Sequence, residues 1–437
     1  MHVKEIPQRE IATTMQVAAG SVMTDSAQDA PARYADDSLV APVGPEDARL
    51  RFLLPLNNLL QLLTNCAWYI GTPFIPLYLV SHGASVGAVG MVAGLSGIVP
   101  FAVALHVGGL VDERGPTGVL VGSVVLFGLG AAILSVFHGI AEVTTAYTLL
   151  TMANIGFAVA SQAVVAGAST PVTRIRNYGY YAVSYSAGAV VGPVIGGFLA
   201  TRLGYTAAFF AMALLMVPSL LVASMVRSAR NSEHRSVALN AVHTVVGTIL
   251  RERGVGTIMF VSGIMNCAQA LQSTFYPLYL LKVGLPATSI GLAIAAISLA
   301  SMAARILLGS AVSRLGQIGA LVGAMILSAA AFALTPFARQ FWLLLGVSVL
   351  MGASLGFTQP LSMSLLAESV AQQFWGAAFG IRQSVQRMGS IVSPFVFGVV
   401  STARGVESAF YLGALVLLGA AGIVTKVSDG FGPRADR

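Results

Sequence analysis

Amide and aromatic side chains recur at helical spacing inside apolar stretches of this chain. Within residues 52–80 they fall at i, i+3, i+7, i+10 and i+11, the pattern of one helix face; they are Asn58, Gln61, Asn65, Trp68 and Tyr69. Residues 262–273 repeat the arrangement with Asn266 and Gln269. Because polar groups are costly in a membrane, the pattern predicts the lining of a substrate cavity. Hydrogen bonding between helices without a ligand is the alternative.

Further polar residues are assigned to the same cavity. They are Asn154 and Gln162 in the predicted fourth span, Gln359 in the tenth, and Gln383 and Arg387 in the eleventh. Arg387 lies about 18 Å along a helix axis from Trp375, beyond the centre of a hydrocarbon core about 30 Å thick. Its cation should therefore point inward, either to bind an anionic substrate or to tie backbone carbonyls and glutamines. The sequence leaves both interpretations open.

Groups that could carry a proton are scarce in these stretches. No Asp or Glu falls in the middle of a predicted span. His106 is the remaining titratable candidate, and an imidazole suits proton relay near neutral pH. A hydrogen-bonded packing role is the alternative for this residue. The residues themselves therefore do not predict proton coupling.

The composition indicates the class of protein. Of the 437 residues 56% are hydrophobic and 9% are charged, and the mean hydropathy is +0.80. Soluble domains carry about 25% charged residues, so this chain is predicted to be an integral membrane protein. The net charge of +7 arises mostly on one side of the membrane and does not predict nucleic-acid binding. No nucleotide-binding loop, zinc-ligand spacing or nucleophile elbow is present, so we expect no enzyme activity, no metal and no cofactor.

Hydropathy predicts twelve membrane spans between residues 52 and 426, each near or above the roughly 20 residues that a bilayer requires. Residues 1–50 are rich in acidic residues and lack an apolar period, which predicts a disordered tail. The one long connection, 227–254, is basic and polar. Most Lys and Arg residues fall on the face that holds both termini and this loop, so that face is predicted to be cytoplasmic. The basic residues of the opposite face are Arg202, Lys282, Arg339 and Arg404.

The two halves of the chain repeat each other after a shift of 201 residues. The run Asn-Cys-Ala at 65–67 recurs at 266–268, and Pro-Leu-Tyr-Leu at 76–79 recurs at 277–280. Gly83, Gly115, Gly179 and Pro193 likewise meet Gly284, Gly316, Gly380 and Pro394. A constant offset through both halves predicts two six-helix bundles of the same shape, related by an axis along the membrane normal. A site between them near the bilayer midplane follows from that arrangement.

A glycine-rich stretch dominates the fifth predicted span. Its pattern is G-x8-G-x3-G-P-x2-G-G, formed by Gly179, Gly188, Gly192, Pro193, Gly196 and Gly197. Without side chains on one face a neighbouring backbone can approach closely, and Pro193 removes a backbone donor and favours a kink. The pattern resembles, without a mismatch, the antiporter motif in the fifth helix of the major facilitator superfamily, which is associated with exporters. A generic close-packed helix is the alternative.

A second motif lies between the second and third spans, at Gly108, Asp112, Arg114 and Gly115. It is similar to the cytoplasmic-loop signature of the same superfamily, in which the Asp pairs with a neighbouring helix end and locks the outward-facing state. Here the basic residue is displaced to Arg114, and Pro116 replaces the usual second one. The copy in the second half lacks the carboxylate, so we expect an asymmetric lock.

The spans and motifs together predict an all-α membrane protein with twelve transmembrane helices in two pseudo-symmetric six-helix bundles, 51–226 and 255–426, followed by a cytoplasmic tail at 427–437. The resemblance implies a monomeric secondary transporter of the plasma (inner) membrane. It would export small amphipathic molecules, drug-like compounds or metabolites, by alternating access in exchange for protons. The implied partners are therefore this substrate, protons and the lipid bilayer. A carrier of organic anions that uses the membrane-embedded arginines is the alternative.

Overall fold

The computed structural model describes residues 45–170, 173–226, 254–370 and 375–427. Throughout these ranges the regular elements are helices, and no strand occurs in them. The chain from Leu50 onward forms one compact unit. The predicted tails at 1–50 and 427–437 and the predicted loop at 227–254 lie almost entirely outside the described residues, so these three remain predictions.

The helices follow one another with short connections. Two single 3-10 turns, Thr72–Phe74 and Thr335–Phe337, interrupt or end neighbouring helices. In chain order the α-helices are α1 Pro45–Gly71, α2 Ile75–Ser81, α3 Val86–Arg114, α4 Pro116–Val136, α5 Ile140–Gly167, α6 Arg174–Leu203, α7 Tyr205–Met225, α8 Val255–Lys282, α9 Ala287–Leu334, α10 Phe341–Ser369, α11 Trp375–Arg404 and α12 Val406–Val427.

Glycines with positive φ separate several of these helices. Gly115, with φ 80° and ψ 158°, ends α3 and precedes α4. Gly316 has nearly the same conformation, φ 69° and ψ 170°, and interrupts α9 at the equivalent position of the repeat. This part of φ/ψ space is open essentially only to glycine. The same offset relates the other positive-φ pairs, Gly83 with Gly284 and Gly204 with Gly405.

Eight helical segments of the described residues are long and apolar enough to cross a membrane. One of them, Ala287–Phe337, is 51 residues long and contains the interruption at Gly316, so it has the length of two spans. Helices α1, α8 and α11 are not among the eight, because Asn, Gln and Arg side chains lower their mean hydropathy. These are helices to which the sequence assigned a polar face. The chain is a multi-pass membrane protein.

The aromatic core repeats with the same offset as the sequence. In the first half the rings of Tyr78 and Phe209 are 5.2 Å apart and nearly perpendicular. The equivalent pair in the second half, Tyr279 and Phe410, is 5.7 Å apart in a similar edge-to-face arrangement. All four side chains are buried. Such edge-to-face contacts add about 0.5–1.5 kcal/mol each to the burial of the rings.

Helix packing joins the two halves most extensively at two places, with a smaller contact between α2 and α8. Within the first half α4 packs on α5 and α7, and within the second half α9 packs on α10 while α8 packs on α11. Across the halves α3 packs on α11 and α6 packs on α9. These two crossings position the candidate site, since the polar faces of α6 and α11 continue beyond them.

Candidate functional site

The first crossing, which we call the α3–α11 seam, is formed by backbone and small residues. Gly90 lies against the carbonyl oxygen of Pro394, and a Cβ on Gly90 would approach Gly398 Cα to 2.9 Å. A Cβ on Gly97 would lie 2.9 Å from Ile391 Cγ1. Separations below 3.0 Å are not tolerated by real Cβ atoms, so the helices can meet here only because these positions are glycine.

The second crossing, the α6–α9 seam, repeats the glycine-to-proline contact of the first at equivalent positions. Gly291 lies against the carbonyl oxygen of Pro193, and a Cβ on Gly291 would be 3.3 Å from Gly197 Cα. Thr288 adds hydrogen bonds across this seam. Its backbone N–H donates to Thr201 Oγ1 (2.9 Å), and its hydroxyl donates to the carbonyl oxygen of Gly197 (3.3 Å).

The other glycines of the α6 motif contact a different helix. A Cβ on Gly188 would lie 2.8 Å from Asn65 Cβ, and one on Gly192 would lie 2.7 Å from Tyr69 Cβ. Gly196 lies against the backbone of Ile70. The motif therefore has two functional faces. Gly188, Gly192 and Gly196 face α1 in the same half, whereas Pro193 and Gly197 face α9 in the other half.

Both seams lie toward the same ends of their helices. The contacts begin next to the connections 81–86, 203–205, 282–287 and 404–406, and they extend as far as Gly97 on α3, Ile391 on α11, Pro193 on α6 and Gly291 on α9. Gly179 and Gly380 continue the seam faces of α6 and α11 toward the opposite ends. No atom of the described residues lies within 4 Å of a Cβ built on either glycine. Within the described residues, the seams thus close one end of the space between the halves, and neither of these two glycines closes the other, which we call the open end.

The side chains of the polar face predicted on α1 fall into two groups: some pack against neighbouring helices, and others are amides with buried oxygens. Asn65 is 4% exposed, packs beside Gly188 and donates to the carbonyl oxygen of Gln61 (3.1 Å). Trp68 packs against Phe127, with ring centroids 6.3 Å apart. Gln61 and Asn58 each have a buried side-chain oxygen without a hydrogen-bond partner in the described part of the chain.

A neighbouring amide, which the sequence analysis did not single out, ties α1 to α5. Asn57 is fully buried; its side chain accepts from Ser161 Oγ (3.0 Å) and donates to the carbonyl oxygen of Ser161 (3.4 Å). The sequence analysis chose Asn58, three residues before Gln61, although Asn57, four residues before it, has helical spacing as well. The structure assigns the interhelical role to Asn57.

A row of tyrosines on α6, the tyrosine face, was also missed by sequence reasoning. It consists of Tyr178, Tyr181 and Tyr185, spaced i, i+3 and i+7. The hydroxyl of Tyr185 hydrogen-bonds to the hydroxyl of Tyr69 (3.2 Å). Tyr69, which was predicted to line the cavity, therefore lies next to the tyrosine face. Tyr178 donates to the backbone carbonyl of Gln162 (3.3 Å), and Tyr181 lies beside the side chains of Ser161 and Gln162. The helical spacing was the available signal; the glycines in the same stretch obscured it.

The remaining predicted amides differ in exposure. Asn154 and Asn266 are half-buried, and a Cβ on Gly389 would lie 3.7 Å from Asn266 Cβ, at the contact between α8 and α11. The glutamines are exposed on four different helices; they are Gln162, Gln269, Gln359 and Gln383. The assignment of these amides to one substrate cavity therefore remains a prediction.

Arg382 and Arg387, the two arginines in the interior of α11, occupy different environments. Arg382 is 3% exposed, and its Nη1 donates to Ser362 Oγ (3.0 Å). The side chain of Arg387 is half-buried and forms no hydrogen bond or ion pair with any described residue. An arginine near the middle of a membrane helix costs about 2.5–3.5 kcal/mol even on insertion scales. A guanidinium without a protein partner at this depth requires water or a ligand.

The position of Arg387 follows from helix periodicity. It precedes Ile391, Pro394 and Gly398 by four, seven and eleven residues, and these three form the α11 side of the α3–α11 seam. Residues at this spacing share one helix face. Arg387 therefore lies one turn beyond the last seam contact, on the face of α11 that is directed toward the first half.

Arg305 occupies a comparable position beyond the other seam. It follows Gly291 by fourteen residues, which returns to the same face of α9. The side chain is exposed, and its charge lies within electrostatic range of the Tyr69 hydroxyl. The charge of Arg305 from the second half and the hydroxyl of Tyr69 from the first therefore lie in the same region beyond the α6–α9 seam.

The predicted relay and loop motif lie toward the open end of α3. His106 is exposed, and Gly115 ends the helix with positive φ. Gly108, Asp112 and Arg114 belong to α3, but their side chains lie outside the described residues, so the proposed lock remains a prediction. Among the residues that the structure describes, no group of three or more His, Cys, Asp or Glu could hold a metal.

A cavity of about 340 Å³ lies elsewhere, between α3, α4 and α5. Apolar residues such as Val103, Val107 and Met152 dominate its lining, and Ser123 is its one hydroxyl side chain. None of the predicted cavity residues contributes to it. Because it is enclosed by helices of one half and carries no charge, it does not have the properties of the predicted substrate site.

Comparison with known proteins supplies the family. The family model described as Major Facilitator Superfamily matches residues 58–316 and 258–429. The Multidrug resistance protein MdtG of Citrobacter koseri is 26% identical over 371 residues, which cover 82% of this chain and 90% of that protein. MdtG of Enterobacter lignolyticus is 26% identical over 372 residues, covering 82% and 87%.

Solved structures agree at the level of the fold. A variant of the nucleoside transporter NupG has a TM-score of 0.76 at 11% identity and covers 86% of this chain and 99% of its own. A bacterial homologue of the human lysosomal transporter Spinster, in an inward-facing and occupied conformation, has a TM-score of 0.68 at 12% identity, with coverages of 87% and 97%. The family predicted from the glycine motif is thereby confirmed: this chain belongs to the major facilitator superfamily.

Proposed function

We propose that the chain exports small amphipathic organic molecules by alternating access. Its twelve spans would form two six-helix bundles, 51–226 and 255–426, in the plasma (inner) membrane with both termini in the cytoplasm. The observation that carries the proposal is the pair of repeated seams, in which Gly90 meets Pro394 and Gly291 meets Pro193. As a member of this superfamily the chain is a transporter and not an enzyme.

The seams support alternating access by their construction. Each is centred on a close approach of two backbones at glycine, and both lie at one end of the space between the halves. Backbone contacts of this kind can separate and re-form, although in the α3–α11 seam Ile391 and Phe395 must also withdraw from Gly97 and Gly94. Rocking one half against the other would open this end and close the opposite one, where Gly179 and Gly380 now have no described neighbour.

The direction of transport is proposed from orientation and from the relatives. With the predicted cytoplasmic termini, the closed end faces outward and the open end faces the cytoplasm, so a substrate could enter from the cytoplasm. The printed names of the MdtG proteins describe multidrug resistance, which is consistent with export. The α6 motif, which resembles the exporter motif of the family, supports the same direction.

Exchange for protons is the least supported part of the proposal. No Asp or Glu lies in the middle of a described helix. His106 is the candidate relay, and it is accessible because its side chain is exposed. The same experiment that tests export can test coupling, if the pH gradient across the membrane is imposed in either direction.

The test uses the full chain in proteoliposomes and a leucine in one seam. Gly291→Leu should prevent the α6–α9 seam from closing and lower the initial rate of transport about tenfold or more, since overpacking of this kind costs about 1–3 kcal/mol. Gly323→Leu is the matched control, because no described atom lies within 4 Å of its Cβ position. Probes are naphthalene-2-sulfonate, naphthalene-2-sulfonamide and 2-naphthyltrimethylammonium, which carry negative, zero and positive charge on one ring system.

Unimpaired transport by Gly291→Leu would contradict the role given to the seams. Transport of the three probes at the rate of protein-free vesicles, with the gradient in either direction, would contradict export of amphipathic molecules as a whole. Rates that do not respond to the gradient would remove proton exchange alone.

A further inference from the structure

The two sides of the open space differ in chemistry, although the backbones repeat. Shifting the tyrosine face by 201 residues brings Tyr181 onto Arg382 and Tyr185 onto Gln386. The equivalent positions thus carry phenol rings in the first half, and a buried guanidinium and a half-buried amide in the second half. A repeated scaffold with two different surfaces is suited to a ligand with two different ends.

The second half supplies positive charge without a protein counter-ion. Arg387 and Arg305 each lie beyond one of the seams on a face directed toward the first half. The guanidinium groups of Arg387 and Arg305 form no hydrogen bond or ion pair in the described part of the chain. Ser362 binds the nearby Arg382, so Arg382 has a partner among the described residues and Arg387 has none.

Carboxylates that could neutralise these arginines lie at helix ends. Glu113 and Glu368 are exposed at the ends of α3 and α10, and Glu142 lies in the first turn of α5. Glu407 pairs with Lys282 at the opposite end of the molecule (2.6 Å). Among the described side chains, those near the depth of Arg387 therefore carry a net positive charge, which favours an anion there.

The first half supplies aromatic rings in the region of Arg305. The hydroxyls of Tyr69 and Tyr185 hydrogen-bond to each other (3.2 Å), and the Tyr69 hydroxyl lies within electrostatic range of Arg305. Tyr185 is 39% exposed, so part of its ring remains free to contact a ligand. Aromatic rings bind flat apolar groups through stacked or edge-to-face contacts.

We propose that the substrate is an aromatic organic anion, with its charge held by Arg387 and Arg305 and its ring against the tyrosine face of α6. The proposal rests on the transport function above and names its substrate class. A guanidinium fork matches the oxygens of a carboxylate, sulfonate or phosphate. A neutral amphipathic molecule would leave both cations without a partner, and a cationic one would be repelled.

The test measures binding, so that it does not depend on transport. The purified full chain is dialysed to equilibrium against each of the three naphthalene probes. The sulfonate should bind most tightly and the trimethylammonium least. Arg387→Gln should lower the preference for the sulfonate over the sulfonamide about tenfold or more, since a hydrogen bond to a charged group is lost. Binding of the neutral sulfonamide should change less than about twofold.

Controls separate the cleft from charge in general. Arg404→Gln removes the same charge from the exposed end of the same helix and should leave the preference unchanged. Arg387→Lys retains the charge but not the fork and should keep part of the preference. Tyr185→Ala should weaken binding of the sulfonate about fivefold through loss of ring contacts, without altering the preference for negative charge.

Tighter binding of the trimethylammonium, or the same preference in Arg387→Gln as in the unchanged chain, would overturn the proposal. Transport of all three probes at equal rates would do so as well, while leaving export itself intact. Selective binding of the sulfonate without transport would support the substrate class and contradict the proposed export.

Discussion

The α3–α11 and α6–α9 seams share one backbone arrangement and differ in what holds it. In both, a glycine meets the carbonyl oxygen of a proline at equivalent positions of the repeat. In the α6–α9 seam Thr288 donates hydrogen bonds to Thr201 and to the carbonyl oxygen of Gly197. Each hydrogen bond contributes about 0.5–1.5 kcal/mol.

The α3–α11 seam has no equivalent of that pair. Thr402 faces Gly87, with 2.6 Å between its Oγ1 and a Cβ built on the glycine, and it donates to Gly398 of its own helix (2.8 Å). The ring of Phe395 instead packs against Gly94. One seam is thus held by hydrogen bonds and the other by shape. The duplicated backbone contact persisted while the side chains around it diverged, so the two seams need not separate with equal ease.

The largest difference between the seams should appear when alanine replaces Gly197 or Gly398, the glycines four residues after Pro193 and Pro394. Gly197→Ala would place a methyl group against the backbone of Ala287 and 3.1 Å from Thr288 Cα, and should cost the closed seam about 2 kcal/mol. Gly398→Ala would approach Gly90 Cα only to 3.2 Å and should cost much less. Spin labels at Leu203 and Leu285, with the native cysteines replaced, would report the fraction of closed molecules. Equal loss in both variants would contradict the comparison.

Removal of the Phe395 ring should have the next largest effect. Phe395→Ala leaves a void against Gly94 and should lower the free energy of unfolding by about 1.5 kcal/mol, roughly half the cost in a fully buried core because Phe395 is half-buried. Thermal unfolding in detergent measures the loss. Val194→Ala, at the equivalent position of the α6–α9 seam, is the matched control with a smaller expected loss. A larger loss for Val194→Ala than for Phe395→Ala would contradict the inference that side-chain packing stabilises the α3–α11 seam more than the α6–α9 seam.

The threonine pair should show the smallest difference. Thr288→Val keeps the side-chain volume but removes the hydroxyl donor, and should weaken the closed α6–α9 seam by about 1 kcal/mol, about fivefold in population. Thr402→Val loses only a bond within its own helix and should leave closure almost unchanged. The same spin-label distances compare them. An equal change in both would mean that the hydrogen bonds across the α6–α9 seam contribute nothing specific.

The sequence predicted what depends on backbone constraints. Gly115 and Gly316 could be paired by their offset, and both adopt a conformation reserved for glycine. The family followed from the spacing of Gly188, Pro193 and Gly197, because close approach of two helices excludes every larger residue there. Such constraints are local and leave a direct mark on the sequence.

What depends on which neighbour lies across a helix was not predictable. Asn57 and Asn58 are adjacent and chemically identical, yet Asn57 hydrogen-bonds to Ser161. Arg382 and Arg387 could each have been the structural arginine; only the position of Ser362 distinguishes them. The helical spacing of the tyrosine face is visible in the sequence, but its contact with Tyr69 of another helix is not.

Helix α6 has glycine on two sides because two different partners press on it at once. Gly192 accommodates α1 of its own half, and Gly197 accommodates α9 of the other half. A larger residue on the α1 side could be compensated only by a change in α1, and one on the α9 side only by a change in α9. No single substitution could compensate for both. Mutational tolerance along this segment is therefore set jointly by the permanent interior of one half and by a contact that must form and break in every turnover.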